Sequence, residues 1–309
     1  RPPRSTLFPY TTLFRSESFV QIKAQKPKIR LRFGDGYQFV KETINNNKLT
    51  TVCEEARCPN LFECWDRGTA TIMILGDTCT RACGFCSVKT GKPIWNDSLE
   101  PIRTAIAVGQ MKLKHVVITS VDRDDLKGDY GSEIWAETIR QIHGRVPECT
   151  VEVLTPDFQN YKPALLKIFE AGPEIFSHNI ETVKRISKRV RAQANWKRSM
   201  RVLKQSVDFG LVTKTGIMVG LGETKDEVIE TMREVSNLGV TVFTIGQYLQ
   251  PTQNHLPVIR YLDDLEFKEY KEIGMSFGFQ IVESGALVRS SYHADEQARF
   301  AKLKGWINE

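Results

Sequence analysis

The sequence predicts an α/β fold built around a parallel β-sheet. Six apolar stretches rich in β-branched residues alternate along the chain with amphipathic segments of helical period. Neighbouring parallel strands need a crossover connection, which is usually a helix, so this alternation predicts consecutive βα units. The alternation is compatible with two arrangements of the strands: a barrel or partial barrel, and a doubly wound sheet. In both, functional residues lie at the carboxyl ends of the strands.

The predicted strands are spaced so that a helix fits between each pair. They occupy residues 69–76, 114–121, 150–156, 174–180, 211–220 and 240–249. Among the helical segments, TKDEVIETMREVSNLG carries the clearest boundary signals. Thr224 and Glu227 predict a capping box at its start, and Gly239 predicts its end. The chain shows no repeat of fixed period, which excludes a solenoid.

Composition and charge argue against two classes of partner. The chain has 309 residues, of which 41% are hydrophobic, but no stretch approaches the roughly 20 apolar residues of a membrane-spanning helix. The net charge of +6 includes Arg1, Arg4 and Arg15, and without these three, 40 basic residues stand against 37 acidic ones. So small an excess is not the footprint of a nucleic-acid-binding protein. We therefore expect neither nucleic acid nor a membrane as a partner.

The first sixteen residues, RPPRSTLFPYTTLFRS, lack acidic side chains and show neither helical nor strand periodicity. A transit peptide fits this composition, because such segments are rich in Arg and Ser and poor in acids, and a segment that is not native fits equally. We expect a cytoplasmic protein, or a mitochondrial matrix protein if the segment is a transit peptide. Residues 23–32, which follow, contain five basic residues and are predicted to form a solvated arm.

Six of the seven cysteines fall into two triplets. One triplet lies in CEEARCPNLFEC, residues 53–64, and the other in CTRACGFC, residues 79–86, directly after the first predicted strand. An odd number of cysteines argues against a disulfide framework, and clustered thiols predict a site for zinc or for an iron–sulfur cluster. Cys149 belongs to neither triplet and is predicted to be a small buried side chain.

The size of the triplets favours iron–sulfur chemistry over zinc. A structural zinc site takes four protein ligands, whereas each triplet supplies three. Three thiolates on a four-iron cluster leave one iron open to a substrate or cofactor, as the open position of a catalytic metal site does. A non-catalytic electron carrier or a zinc-stabilised binding module would need a closed site, so both are less favoured interpretations.

The C-x3-C-x2-C triplet after the first strand resembles that of the radical S-adenosylmethionine (SAM) superfamily. Within the superfamily, the chain resembles the lipoyl synthase family over residues 28 to 300. The resemblance is carried by CEEARCPNLFECW, ATIMILGDTCTRACGFC, VVITSVDRDDL, VEVLTPDF, HNIETV, MVGLGET, TIGQYLQPT and VRSSYHA. Biotin-synthase-like and methylthiotransferase-like enzymes are the alternatives. They would share the later triplet but lack C-x4-C-x5-C together with R-S-S-Y.

This resemblance implies a fold and a division of the chain. The fold would be a partial (β/α)6 barrel of the radical SAM type, related to the TIM barrel, over residues 69–275. Residues 17–68 would form an N-terminal extension carrying the upstream cysteines. Residues 276–309 would return over the barrel mouth and bring a serine to those cysteines. The state of assembly is not specified, and we expect a monomer.

The resemblance also implies two [4Fe–4S] clusters and SAM as cofactors. Cys79, Cys83 and Cys86 would hold the cluster that binds SAM. Cys53, Cys58 and Cys64 would hold an auxiliary cluster whose fourth ligand is a serine, Ser291 or alternatively Ser290. Residues near the strand ends are the expected contacts for SAM: Thr119, Ser120, Asn179, Glu181, Arg191, Gly220 and Gln247. For Arg191 a surface ion pair is the alternative interpretation.

The activity implied by the resemblance is insertion of sulfur at carbons 6 and 8 of an octanoyl group linked to a lysine. No side chain can deprotonate such carbons, so a radical is needed, and cofactors carry that chemistry. The auxiliary cluster would donate the sulfur. The implied partners are octanoylated lipoyl domains of 2-oxoacid dehydrogenase E2 subunits, the glycine-cleavage H protein, and an electron donor such as ferredoxin or flavodoxin. Such carrier proteins tend to be acidic, so the basic arm at residues 23–32 could help them to dock.

Overall fold

The computed structural model describes residues 26–27, 35–66, 70–94 and 97–307. The first sixteen residues, for which a transit peptide or a non-native origin is expected, lie outside the described residues. So does the predicted basic arm, apart from Lys26 and Pro27. In the part of the chain that is described, no helix is long and apolar enough to cross a membrane.

The described residues contain one sheet of eight strands in the order β1 to β8. The strands are β1 (Thr50–Thr51), β2 (Thr71–Ile74), β3 (His115–Ser120), β4 (Thr150–Leu154), β5 (Ile175–Ser177), β6 (Val212–Val219), β7 (Val242–Gln247) and β8 (Ile281–Gly285). All six predicted strands are present, as β2 to β7, and they pair in parallel. The sequence analysis did not predict β1, which is antiparallel to β2, or β8, which continues the parallel sheet beyond β7.

The strand order decides between the two arrangements that the sequence left open. In a doubly wound sheet the order reverses at a switch point, whereas here every strand neighbours the next one along the chain. The edge strands β1 and β8 do not pair with each other in the described sheet. The sheet is therefore a barrel left open at one side, which agrees with the partial barrel expected from the resemblance.

Helices connect the parallel strands and cover the outside of the sheet. They are α1 (Asp35–Asn46), α2 (Val52–Glu55), α3 (Leu61–Asp66), α4 (Glu100–Gln110), α5 (Ser132–Arg145), α6 (Lys162–Glu170), α7 (Ser187–Val190), α8 (Trp196–Phe209), α9 (Lys225–Ser236), α10 (Asp264–Ser276) and α11 (Ala294–Leu303). One buried apolar cluster packs α4, α5 and α6 on β2 to β5, and a second packs α9 and α10 on β6 to β8. The predicted capping box begins α9: Thr224 Oγ1 accepts from Glu227 N, and Glu227 Oε2 accepts from Thr224 N at 2.8 Å.

The C-terminal helix lies at the end of the barrel opposite the carboxyl ends of the strands. Ala298 of α11 packs against Ile175 and Val212, which are the first residues of β5 and β6. The preceding residues, 289–291, line a cavity at the carboxyl ends of the strands. The last part of the chain therefore passes from the carboxyl ends of the strands to their amino ends.

Candidate functional site

A cavity of about 430 Å³ opens at the carboxyl ends of the parallel strands, a volume typical of small-molecule sites. Its walls come from the segments that follow β2, β3, β4, β5 and β7, from residues of β6 itself, and from the N-terminal and C-terminal segments. Among the lining residues are Cys79, Cys83, Cys86, Thr119, Ser120, Asp122, Asn179, Glu181, Arg191, Gln250, Ser290 and Ser291. The structure therefore gathers the downstream cysteine triplet and five of the seven predicted SAM-contact residues around one space.

Backbone hydrogen bonds fix the loop that carries Cys79, Cys83 and Cys86. Cys79 N donates to Lys89 O at 2.8 Å, and Gly91 N donates to Cys79 O at 2.9 Å, so the loop folds back on itself. At its centre, Gly84 N donates to Val190 O at 2.9 Å. These contacts fix the backbone of the loop at Cys79 and at Gly84, the neighbour of Cys83.

Arg81, inside this loop, is the centre of a buried ionic network. Its guanidinium contacts Asp122 at 3.1 Å, Asp124 at 2.7 Å and Asp157 at 2.7 Å, while its own side chain is 2% exposed. The first two carboxylates follow β3 and the third follows β4. Arg81 therefore ties the cysteine loop to the ends of two strands. Sequence reasoning named neither Arg81 nor Asp157, because nothing local marks an arginine whose partners lie more than 40 positions away.

Asp122 is a carboxylate that lies beside Cys79. Its backbone N donates to Cys79 Sγ at 3.3 Å, and its Oδ2 lies 4.0 Å from the same sulfur. Burial raises the pKa of Asp122 to about 6, although Arg81 opposes that shift. A carboxylate with so perturbed a pKa in a cavity is typical of a functional site. The sequence signal was its position two residues after the end of β3, which the analysis passed over in favour of Thr119 and Ser120.

Asn179, Glu181 and Arg191 form a second polar wall of the cavity. Arg191 Nη1 donates to Asn179 O at 3.0 Å. Burial raises the pKa of Glu181, against the effect of Arg191. Asn179 Oδ1 is buried with no hydrogen-bond partner among the described residues. An unsatisfied buried acceptor at a cavity wall fits a site whose ligand donates to it.

Thr119 and Ser120 line the cavity, but their hydroxyls are engaged within the protein. Thr119 Oγ1 donates to Leu154 O at 2.9 Å, and Ser120 Oγ donates to Val121 O at 2.8 Å. A hydroxyl that donates to the protein keeps its lone pairs free, so both side chains can still accept a hydrogen bond from a ligand.

Gly220 and Gln247, the other two predicted contacts for SAM, are not among the residues that line this cavity. Gln247 is buried, and its Nε2 lies within hydrogen-bond distance of three carbonyls, including Val219 O and Arg260 O. At Gly220, whose φ is +97°, a Cβ would lie 2.2 Å from Gln247 Nε2. Gly220 directly follows β6 and Gln247 ends β7, and at these strand ends the two residues pack on each other.

The upstream triplet lines a second, smaller cavity. Its walls include Cys53, Cys58 and Cys64 together with Ser291, whereas Ser290 lines only the larger cavity. Of the two candidate serines, the structure therefore places Ser291 with the three thiols.

Hydrogen bonds between distant segments bring the serine to these cysteines. Asn60 Nδ2 donates to Leu287 O at 2.7 Å, and Tyr292 OH donates to Glu63 Oε1 at 3.2 Å. These bonds flank Ser291 on both sides and join residues more than 220 positions apart. Packing of the two chain extensions, rather than any local motif, therefore completes the four-residue set.

The two cavities share a wall. Cys58, Arg289 and Ser291 line both of them. A group held in the smaller cavity would therefore stand directly beside a molecule in the larger one.

Comparison with known proteins identifies the family. The model of the radical SAM superfamily matches residues 73–235. A lipoyl synthase of Rubrobacter xylanophilus is 53% identical over 277 residues, which cover 89% of this chain and 86% of the relative. A mitochondrial lipoyl synthase of Nematostella vectensis is 49% identical over 285 residues, which cover 91% of this chain and 98% of the relative. This chain belongs to the lipoyl synthase family.

Solved structures support the fold of this lipoyl synthase family member. The crystal structure of methylornithine synthase superposes with a TM-score of 0.50 and 13% identity, covering 88% of this chain and 94% of that one. Streptococcus suis SuiB bound to SAM gives a TM-score of 0.54 and 12% identity, with coverage of 81% and 62%. At such low identity the likeness concerns the fold alone. Membership in the radical SAM superfamily itself implies one [4Fe–4S] cluster and SAM.

The thiols of the larger cavity fit the [4Fe–4S] cluster that the superfamily implies. Burial raises the pKa of Cys83 to about 12 and that of Cys86 to about 11, so these thiols stay protonated until a metal replaces the proton. In the described ranges no three His, Cys, Asp or Glu side chains are placed to hold one metal ion. Each thiolate of a four-iron cluster binds a different iron, so cluster ligands need not converge on one point.

Two exposed basic residues lie at the rim of the larger cavity. Lys26, from the predicted basic arm, and Arg57, from the N-terminal cysteine segment, both line it and are exposed to solvent. Lys26, the lysine of this arm that the structure describes, therefore lies at the rim of the cavity.

Proposed function

We propose that this chain inserts two sulfur atoms, at carbons 6 and 8, into an octanoyl group linked to a lysine of a carrier protein, using SAM and two [4Fe–4S] clusters. The observation that carries the proposal is the placement of the two cysteine triplets. They line two cavities that share a wall, and Cys58, Arg289 and Ser291 line both cavities. Sulfur insertion needs a sulfur source beside the activated carbon, and this wall is where the two cavities adjoin.

The chain would hold the two clusters with different ligand sets. Cys79, Cys83 and Cys86 would hold the cluster that binds SAM, and Cys53, Cys58 and Cys64 would hold the auxiliary cluster with Ser291 as its fourth ligand. When bound, these groups supply the radical that removes hydrogen from an unactivated carbon and the sulfur that replaces it.

The residues of the larger cavity would bind and orient SAM. Its amino group and hydroxyls are donors, and Asn179 Oδ1, Asp122 and Glu181 are the acceptors that line the cavity. Its carboxylate would pair with the planar guanidinium of Arg191, which is buried and already oriented by Asn179 O. The apolar parts of the wall, such as Met73 and Leu154, would exclude water from the octanoyl chain.

The carrier would reach this cavity from the side where Lys26 and Arg57 are exposed. Opposite charges steer association, so acidic lipoyl domains of 2-oxoacid dehydrogenase E2 subunits and the glycine-cleavage H protein are the partners we propose. An electron donor such as ferredoxin or flavodoxin would reduce the clusters. We place the protein in the cytoplasm, or in the mitochondrial matrix if residues 1–16 act as a transit peptide.

The test counts clusters. Iron and acid-labile sulfide are measured per chain after anaerobic reconstitution, in the unaltered chain and in a Cys53→Ala/Cys58→Ala/Cys64→Ala variant. We expect two four-iron clusters to fall to one, with SAM cleavage retained and sulfur insertion lost. Cys149→Ala is the matched control, since Cys149 is buried outside both cavities. Zinc in place of iron, or one cluster in both proteins, would overturn the proposal.

A further inference from the structure

Arg289 occupies the wall between the two cavities. Together with Cys58 and Ser291 it lines both of them. It is the basic side chain shared by both linings. Arg289 precedes Ser291 by two residues, and the two residues line the same two cavities.

The backbone around Arg289 is fixed by close packing on β7. A Cβ on Gly246 would lie 2.1 Å from Val288 O and 3.2 Å from Arg289 Nη1, so only glycine allows the C-terminal segment to cross the strand here. Arg289 Nη1 donates to Val288 O at 2.6 Å. The guanidinium is therefore held against the strand end rather than extended into solvent.

The charge of Arg289 has no carboxylate partner among the described residues. Its guanidinium donates one hydrogen bond within the described part of the chain, to Val288 O, which uses one of five N–H donors. A partly buried cation without an anionic partner is costly, which indicates that a negative group belongs beside it. The downstream cysteines differ, because Cys83 has both the cation Arg191 and carboxylates near it.

We propose that Arg289 is the positioning cation of the auxiliary site, where its guanidinium balances the negative charge of an iron–sulfur cluster held by Cys53, Cys58, Cys64 and Ser291. The inference rests on the proposed function. Three thiolates and a serine oxygen make such a cluster anionic, and reduction adds a further negative charge. Net charge and hydrogen bonds to the sulfurs set the reduction potential of a cluster, so a fixed cation at this wall raises that potential.

The test measures the auxiliary cluster alone. In a Cys79→Ala/Cys83→Ala/Cys86→Ala background, iron content and reduction potential are compared for Arg289, Arg289→Gln and Arg289→Lys. The matched control is Arg299→Gln, which removes the same charge from an exposed position in α11. We expect Arg289→Gln to lower the equilibrium constant for reduction of the cluster at least tenfold. For a one-electron couple this lowers the reduction potential by about 59 mV. Arg289→Lys, which keeps the charge, should recover most of that loss.

Each outcome either supports or overturns the charge role of Arg289. Loss of iron in Arg289→Gln with retention in Arg289→Lys would also support a charge role. An unchanged potential in Arg289→Gln would overturn the inference, and so would equal loss of iron from both variants, since that points to packing. Absence of a cluster from the Arg289 parent would overturn the proposed two-cluster function and this inference with it.

Discussion

Arg81 Nη2 lies 2.7 Å from Asp157 Oδ1, and both side chains are almost completely buried. This ion pair joins the loop of the downstream cysteines to the segment after β4. The same guanidinium holds Asp122, the carboxylate that lies beside Cys79. One arginine therefore positions both the thiols and the acid that we expect beside SAM.

Arg81→Gln should lower the free energy of unfolding by about 3–5 kcal/mol, because breaking a buried pair leaves an uncompensated charge. Of its two ion pairs, Asp157 would keep the one with Arg198, at 3.2 Å. Urea unfolding of the reduced, metal-free chain measures the change. Arg140→Gln is the control: its exposed pair with Glu137 should contribute less than about 1 kcal/mol. Equal effects of the two substitutions would contradict the role assigned to Arg81.

Gly246→Ala should displace the C-terminal segment, because its Cβ would lie 2.1 Å from Val288 O. We expect a loss of unfolding free energy of about 1–3 kcal/mol, as overpacking costs, and reduced iron at the upstream cysteines. Gly144→Ala is the matched control, because nothing lies within 4 Å of its added Cβ and alanine favours a helix by about 0.5–1 kcal/mol. Thermal unfolding and iron content report the two effects. A Gly246→Ala variant with normal iron content would show that the segment can shift without affecting the cysteines.

Ser291→Ala should lower the iron content associated with the upstream triplet and abolish sulfur insertion, while SAM cleavage persists. Ser290→Ala, one residue away, should leave the iron content of the upstream triplet nearly unchanged, because Ser290 does not line the smaller cavity. Ser291→Cys tests a related hypothesis. Oxygen is a harder ligand than thiolate and matches iron less well, so a thiolate here should hold the cluster through turnover and slow sulfur release. A Ser291→Cys variant of full activity with an intact cluster would refute that hypothesis.

Glu227 should contribute a pH-dependent stability. The hydrogen bond from Arg185 and, to a smaller extent, the capping box with Thr224 together lower the pKa of Glu227 to about 2, against the raising effect of burial. Because the folded pKa is depressed, this stabilisation is complete above about pH 4.5, the ordinary value, and is lost as the pH falls towards 2.

Unfolding of the unaltered chain and of Glu227→Gln, compared between pH 7 and pH 3, measures that contribution. The stability difference should be about 1 kcal/mol at pH 7 and shrink at low pH, since glutamine keeps the capping geometry but not the charge. Glu230→Gln, an exposed acid on the same helix, is the control and should show no such trend. A difference that stays constant with pH would mean that the Arg185 pair contributes nothing.

The sequence by itself determined the alternating βα architecture and the positions of β2 to β7. These strands are short and are buried on both faces, so their sequences are continuously apolar and can be recognised without knowledge of the rest of the chain. It also determined the cysteine triplets, whose spacing is a local property. The six cysteines and Ser291, with Ser290 as the alternative serine, were the residues singled out for metal binding, and each of them lines at least one of the two cavities described above.

Only the tertiary structure decided features that depend on distant partners. The strand β8 contains Glu283 and Ser284 and has weak apolar character, so its conformation comes from pairing with β7. Gly220 and Gln247 stand at strand ends as expected, yet they pack on each other, because side-chain direction at a strand end depends on the loops around it. Arg81 and Arg289 gain their positions from residues far along the chain. The local sequence identifies the possible ligand residues, and packing between distant segments determines which of them line the same cavity.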